Sequence, residues 1–331
     1  MSKLLKKIRN LALLIALICI SACGGGGGKS PIIPYQPDSS SISDSSIPSC
    51  SNYSSIENTQ YCSFTKDELT REFYVYVPSD YSENISPVSV LLSLHGGGDN
   101  AESNMQYSGF YEHADTDTFI LIYPQGAYYD DKGTTGWNTE DGGVNDVAFI
   151  DSIIDWTGDN YNVQLNEVYV AGFSNGGFMA YHLACYLSAK IAAIAAVAGL
   201  MGNHTYDTCC PLHPTPLAHI HGLQDDVVSI NGDSYSRPLE DNVDITGVIS
   251  YWQDYNQCTK FYQEPLYENE DNIGTLNKWT NCSNGAEINY WIISNQGHEW
   301  NEADKDGSVG FDTSQTIWNF LKQFDMNGVK S

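Results

Sequence analysis

From residue 70 onward, short β-rich runs and helical stretches take turns along the chain. "EFYVYVP" and "VSVLLSLHG" carry the branched and aromatic residues of strands, a helical stretch follows near residues 101–115, and "FILIYPQG" returns to strand. "NDVAFIDSIIDWTGDNY" repeats Val147, Ile150, Ile153 and Ile154 at helical spacing. Then come "EVYVAGF" as strand, "GGFMAYHLACYL" as helix, and "IAAIAAVAGL" and "PLAHIHG" as strands. "VISYWQDYN" (helix), "INYWIIS" (strand) and "TSQTIWNFLKQF" (helix) close the chain. Such alternation predicts an α/β fold, a mostly parallel central sheet with helices on both faces. Ligands of these sheets bind beyond the carboxyl ends of the strands, so any chemistry belongs in the loops that follow them.

The first 48 residues do not share this pattern. Lys3, Lys6, Lys7 and Arg9 precede the apolar run "LALLIALICI", which is too short to span a bilayer. Residues 1–22 therefore read as a signal peptide. Its end, Ile20-Ser21-Ala22-Cys23, resembles the lipobox of bacterial lipoproteins, which implies cleavage before Cys23 and lipid on that cysteine. Gly24 in the next position implies outer-membrane or cell-surface sorting. "CGGGGGKS" superficially resembles a phosphate-binding loop, but Cys23 stands where the first glycine is required and no strand or helix flanks it. Residues 23–48, rich in Gly, Ser and Pro, read instead as a flexible tether with a reach of about 25–30 Å. Residues 49–331 remain for one domain.

The chain carries a net charge of −26, which becomes −30 once the four cations of residues 1–22 are removed. A surface of that sign repels nucleic acid and anionic lipid, so the expected membrane association is through the lipid alone. Seven cysteines remain after Cys19 and Cys23, in an exported setting where disulfides are expected. Cys50 could pair with Cys62 and Cys258 with Cys282, while Cys185 would take Cys209 or Cys210 and leave one thiol over. His213, His219 and His221 lack the regular spacing of a zinc site.

Three loops carry compatible chemistry. "GFSNGG", Gly172 to Gly177, joins a predicted strand to a predicted helix and has the G-x-S-x-G form of a tight turn that exposes the Ser174 hydroxyl. "HGLQDD" follows the strand ending at His221 and offers Asp225 or Asp226 as the carboxylate that would orient a base. "NQGHEW" follows the last predicted strand and supplies His298 as that base. The order Ser174, Asp225, His298 is the order of α/β-hydrolases, with each residue after a strand. A fourth loop, "LHGGGDN", suits an oxyanion hole: the N–H of Gly97, with Gly96 and Gly98 as neighbours, would act together with that of Asn175.

With these loops, "YPQG", "GWN", "DVAFI", "VYVAGFSNGGFMAYHLAC", "HGLQDDVV" and "GHEW" occur in the order that resembles secreted esterases of the feruloyl esterase and poly(3-hydroxybutyrate) depolymerase-like family, from about residue 70 to 325. The resemblance implies Asp225 as the triad acid, through the H-G-x-x-D motif, beside Ser174 and His298. It also implies an ester substrate attached to a polymer or an aromatic acid, and no cofactor. Asn175 after the nucleophile leans toward the feruloyl-esterase branch. A polyester depolymerase or acetylxylan esterase is the alternative within the class, and a non-catalytic surface-binding lipoprotein the alternative outside it. Trp137 and Trp300 are expected either to wall the substrate site or to belong to the core. Asp146 is expected to anchor a loop or cap its helix. "NEADKDGSVGFD" has oxygen ligands but not the spacing of a calcium loop.

Overall fold

A computed structural model of the chain describes residues 47–82, 86–232, 242–268, 270–301 and 311–330. The expected signal peptide, Cys23, nearly all of the tether and most of "NEADKDGSVGFD" lie outside the described residues. In chain order the elements begin with β1 (Ser49–Asn52), β2 (Thr59–Lys66), β3 (Leu69–Tyr76), β4 (Val88–Leu94), α1 (Ala101–Ser108), α2 (Phe110–Asp117) and β5 (Ile120–Pro124). A hairpin of β6 (Ala127–Tyr129) and β7 (Thr134–Gly136) precedes α3 (Asp146–Asn160), β8 (Val163–Phe173), α4 (Asn175–Tyr186) and β9 (Ala193–Val197). The short β10 (Met201–Gly202) and α5 (Asn203–Thr208) lead to β11 (Leu217–Gly222), β12 (Asn242–Val243) and α6 (Ile245–Tyr255). The last main-sheet strands are β13 (Lys260–Glu268), β14 (Asp271–Thr280) and β15 (Ile288–Ile293), followed by α7 (Thr313–Leu321).

The main sheet runs β1-β2-β3-β5-β4-β8-β9-β11-β15-β14-β13. Its middle, from β5 to β15, is parallel throughout, and the strands outside it on both flanks are antiparallel. The middle strands are buried on both faces, which is why "ILIYP", "AIAAV" and "LAHIHG" are continuous and not alternating. Alternate residues nevertheless serve different layers. Leu92, Val170 and Ile194 pack with Ile150 and Ile153 of α3, Met179 of α4 and Trp252 of α6. Leu91, Tyr169 and Ala195 pack with Met105 of α1, Phe110 of α2 and Trp318 of α7. The chain leaves β4 for β5 on one side and returns to β8 on the other, so a topological switch point lies at β4 and β8.

The acidic excursion between Cys258 and Cys282 is a long hairpin, β13 and β14, added antiparallel to β15. The disulfides join Cys50 to Cys62, Cys185 to Cys209 and Cys258 to Cys282. Cys210 is itself engaged, so the expectation of a spare thiol is not met.

Candidate active site

The turn after β8 is dictated by its glycines. A Cβ on Gly172 would collide with the carbonyl of Gly176, and one on Gly176 with the carbonyl of Leu94. Only a glycine pair lets β8 pass so directly into α4. Ser174 sits between them at φ 52° and ψ −119°, a conformation that non-glycine residues rarely adopt. Its N–H is held by Val197 O of β9 at 2.8 Å, which fixes the turn against the sheet.

His298 and Asp225 arrive from the ends of β15 and β11. Gly222 lets these two loops close on each other, because a Cβ there would meet the carbonyls of Gln296 and Gly297. Gln224 N–H then donates to Gln296 O at 2.9 Å. The result is a continuous line: Ser174 Oγ is 2.9 Å from His298 Nε2, and His298 Nδ1 is 2.8 Å from Asp225 Oδ2. The Asp225 side chain is fully buried, and its Oδ1 accepts from the N–H groups of Val227 and Val228 at 2.9 and 2.8 Å. Burial alone would push its pKa up. Hydrogen bonds from His221, His298 and the Val228 N–H outweigh it and hold Asp225 below the ordinary carboxylate range. Asp226, the other acid of the motif, is exposed.

The glycine loop after β4 lies against this turn. A Cβ on Gly97 would come 3.5 Å from that of Asn175, so the two residues expected to donate are neighbours. Asn175 is the first residue of α4, where the N–H has no partner within the helix. The Gly96–Gly97 peptide is oriented by His95. Gly126 N–H, which can only donate, reaches His95 Nε2 at 2.9 Å, so His95 carries its hydrogen on Nδ1 and donates to Gly96 O at 2.7 Å. In a trans peptide the next N–H points opposite to that carbonyl, away from His95. Burial also pushes the His95 pKa down and keeps the ring neutral.

Above Ser174 opens a cleft of about 680 Å³, lined by the glycine loop, Trp137, Phe173, Phe178, Val227, Val228 and His298. The β6–β7 hairpin supplies its far wall with Tyr129, Lys132 and Thr134, which sequence reasoning missed because three-residue strands leave no periodic signal. Trp137 lines the cleft although it is 3% exposed, and its indole N–H donates to His95 O at 2.9 Å. Trp300 does not line it. That ring is buried against Phe110, Tyr107 and Phe173, with its N–H on Ser314 Oγ at 3.0 Å, so its place is in the core. Asp146 anchors a loop, pairing with buried Arg71 at 2.6 Å and accepting from Asn138 N–H at 2.7 Å, while Asn145 caps α3. His213 faces backbone carbonyls and His219 pairs with His221; no metal-binding cluster of three or more side chains occurs among the described residues.

The profile of the Phospholipase/Carboxylesterase family of α/β-hydrolases matches residues 82–243. A bifunctional acetylxylan esterase/xylanase of Neocallimastix patriciarum is 28% identical over 260 residues, 78% of this chain and 34% of that protein. Feruloyl esterase B of Piromyces equi is 28% identical over 268 residues, 77% of this chain and 46% of that protein. The chain thus spans a third to a half of the length of these two relatives. The solved acetyl xylan esterase from Aspergillus awamori superposes with a TM-score of 0.51 at 17% identity, over 71% of this chain and 92% of that one. The sheet order, the turn at Ser174 and these likenesses make the chain an α/β-hydrolase. Within that fold class its sequence is similar to feruloyl and acetylxylan esterases.

Proposed function

We propose that the chain is a serine hydrolase of carboxylic esters, acting on aryl or polymer-linked esters in the manner of a feruloyl esterase. The observation that carries this reading is the hydrogen-bonded line Ser174–His298–Asp225 beside the Gly97 and Asn175 N–H groups. His298 Nε2 takes the Ser174 proton as Oγ attacks the ester carbonyl, and Asp225 steadies the imidazolium through Nδ1. The two N–H groups receive the oxyanion. His298 returns the proton to the leaving alcohol, and a water activated in the same way then releases the acid from Ser174. Trp137, Phe173 and Phe178 give the cleft the apolar wall that an aromatic acyl group needs.

An acetylxylan esterase is the second reading, favoured by relatives whose names carry that activity. A polyester depolymerase shares the same catalytic parts. A purely binding role would not need the base and acid to be aligned on a hydroxyl. Ser174→Ala is expected to abolish hydrolysis of p-nitrophenyl acetate while the fold survives; unchanged turnover would overturn the reading. Relative kcat/KM on methyl ferulate, acetylated xylan and a poly(3-hydroxybutyrate) film then separates the substrate classes.

The disulfides suit an exported protein. The proposed address is the outer membrane or cell surface, with lipid on Cys23 and residues 23–48 as tether. Labelling with a fatty-acid analogue tests this, with loss of label expected in Cys23→Ser.

A further inference from the structure

Behind Asp225, three buried side chains form a line that the reaction above leaves unused. Tyr181 Oη of α4 is 2.7 Å from His219 Nδ1, and His219 Nε2 is 3.0 Å from His221 Nδ1, both histidines lying on β11. His221 Nε2 is 2.7 Å from Val228 O and 3.2 Å from Asp225 Oδ2. All three side chains belong to residues with 0% exposure, so water cannot substitute for any of these contacts.

The direction of the hydrogens follows from the last link. A carbonyl and a carboxylate only accept, so His221 holds a hydrogen on Nε2 and, with one ring hydrogen, accepts on Nδ1. His219 must then donate from Nε2 and accept on Nδ1, and Tyr181 O–H must be the donor there. Burial keeps both outer groups in the required form, pushing His219 well below its ordinary pKa and Tyr181 well above. Every donor in the line therefore points toward the loop that carries Asp225, the last one onto Val228 O with Asp225 Oδ2 3.2 Å from the same nitrogen. Aligned hydrogen bonds polarise one another, and the positive end of this line lies 3.2 Å from the carboxylate oxygen that also holds His298.

We propose, building on the reading of Ser174, His298 and Asp225 as the triad, that Tyr181, His219 and His221 are positioning residues, an oriented donor chain that fixes the Asp225 carboxylate and limits the basicity of His298. A carboxylate that shares its charge with His221 attracts the His298 imidazolium less than one that does not. The titratable groups around the chain are Asp225 on the loop after β11, His298 on the loop after β15, and Tyr290 on β15, whose ring meets His219 edge-on at 5.2 Å, while Asp226 is exposed. From α6 the neighbour is Trp252, stacked on Tyr181. Burial pushes the Tyr290 hydroxyl up, so it stays uncharged and does not compete for the role.

The experiment is the pH profile of kcat/KM for p-nitrophenyl acetate in the wild type, His221→Leu, His221→Gln and Tyr181→Phe. His221→Leu removes the donor, and its acid limb is expected to move to higher pH by about half a unit or more, with turnover reduced roughly tenfold. His221→Gln, which keeps an N–H at that reach, is expected to restore most of both. Tyr181→Phe keeps the ring in place and is expected to move the limb in the same direction by less. An unmoved acid limb in His221→Leu, or equal losses in Leu and Gln, would overturn the proposal. If His221→Leu does not fold, an unmoved limb in Tyr181→Phe overturns it instead. Retained turnover in Ser174→Ala marks the different failure, that of the triad reading itself.

Discussion

The side-chain amide of Asn175 holds the main chain of Trp137 from both sides, taking its N–H on Oδ1 at 2.6 Å and giving Nδ2 to its carbonyl at 3.2 Å. The residue whose backbone N–H is proposed to receive the oxyanion thereby also fixes the end of β7 and the wall of the cleft. Asn175→Ala keeps the backbone N–H and loses the clasp. Two hydrogen bonds of this kind contribute about 1–2 kcal/mol, so kcat/KM for a p-nitrophenyl ester is expected to fall about tenfold, mainly through KM. Steady-state kinetics with a short ester checks it.

His95 acts on the same proposed oxyanion site through the Gly96 carbonyl. His95→Phe fills the space but cannot donate to Gly96 O, and the Gly97 N–H loses its fixed direction. Turnover is expected to fall by about 10²-fold, the scale of one oxyanion donor, with substrate binding little changed. Single-turnover measurements separate the two.

Asp225 makes stability depend on acid. Its folded pKa lies below the ordinary value of 3.8, so its contribution is complete above that value and is lost as pH falls through the folded one. The wild type is expected to lose Tm more steeply than Asp225→Asn as pH falls below about 4. Calorimetry of both proteins across that window reads the difference in slope.

Arg71 and Asp146 are a buried pair, with Arg71 also 3.8 Å above the Phe149 ring. Asp146→Asn leaves a guanidinium without its counter-charge and is expected to cost about 3–5 kcal/mol. The double variant Arg71→Met/Asp146→Leu is expected to lose less, because no buried charge remains. Urea unfolding midpoints of the three proteins provide the measurement.

The Cys258–Cys282 bridge closes the open end of the β13–β14 hairpin, where Lys260 pairs with Thr280. Replacing both cysteines by serine releases a loop whose closure contributes about 3 kcal/mol. A lower Tm with unchanged kcat is the expected result, since the opened end lies at the opposite end of β15 from the His298 loop.

The parallel middle of the sheet and its loop chemistry were legible because burial on both faces writes continuous apolar runs, and because glycines at Gly172, Gly176 and Gly222 have no substitute. β13 and β14 were not legible. "FYQEPLYE" has charge, a proline and wide exposure, the features that keep an edge strand from pairing with another chain, and they erase the alternation by which strands are read. The roles of His95 and His221 were hidden for another reason. Each histidine was visible at a strand end, but its role depends on which backbone groups its ring nitrogens meet, and those come from Gly126 and Val228, distant or folded-back parts of the chain.

The left-handed backbone at Ser174 has a consequence for how this chain could evolve. A non-glycine residue held there costs of order 1–3 kcal/mol, and glycine would not bear it. A Ser174→Gly chain is thus expected to be inert and more stable than its parent. Folding alone would favour losing the hydroxyl, so the strain at Ser174 is stability given up at the position of the proposed nucleophile.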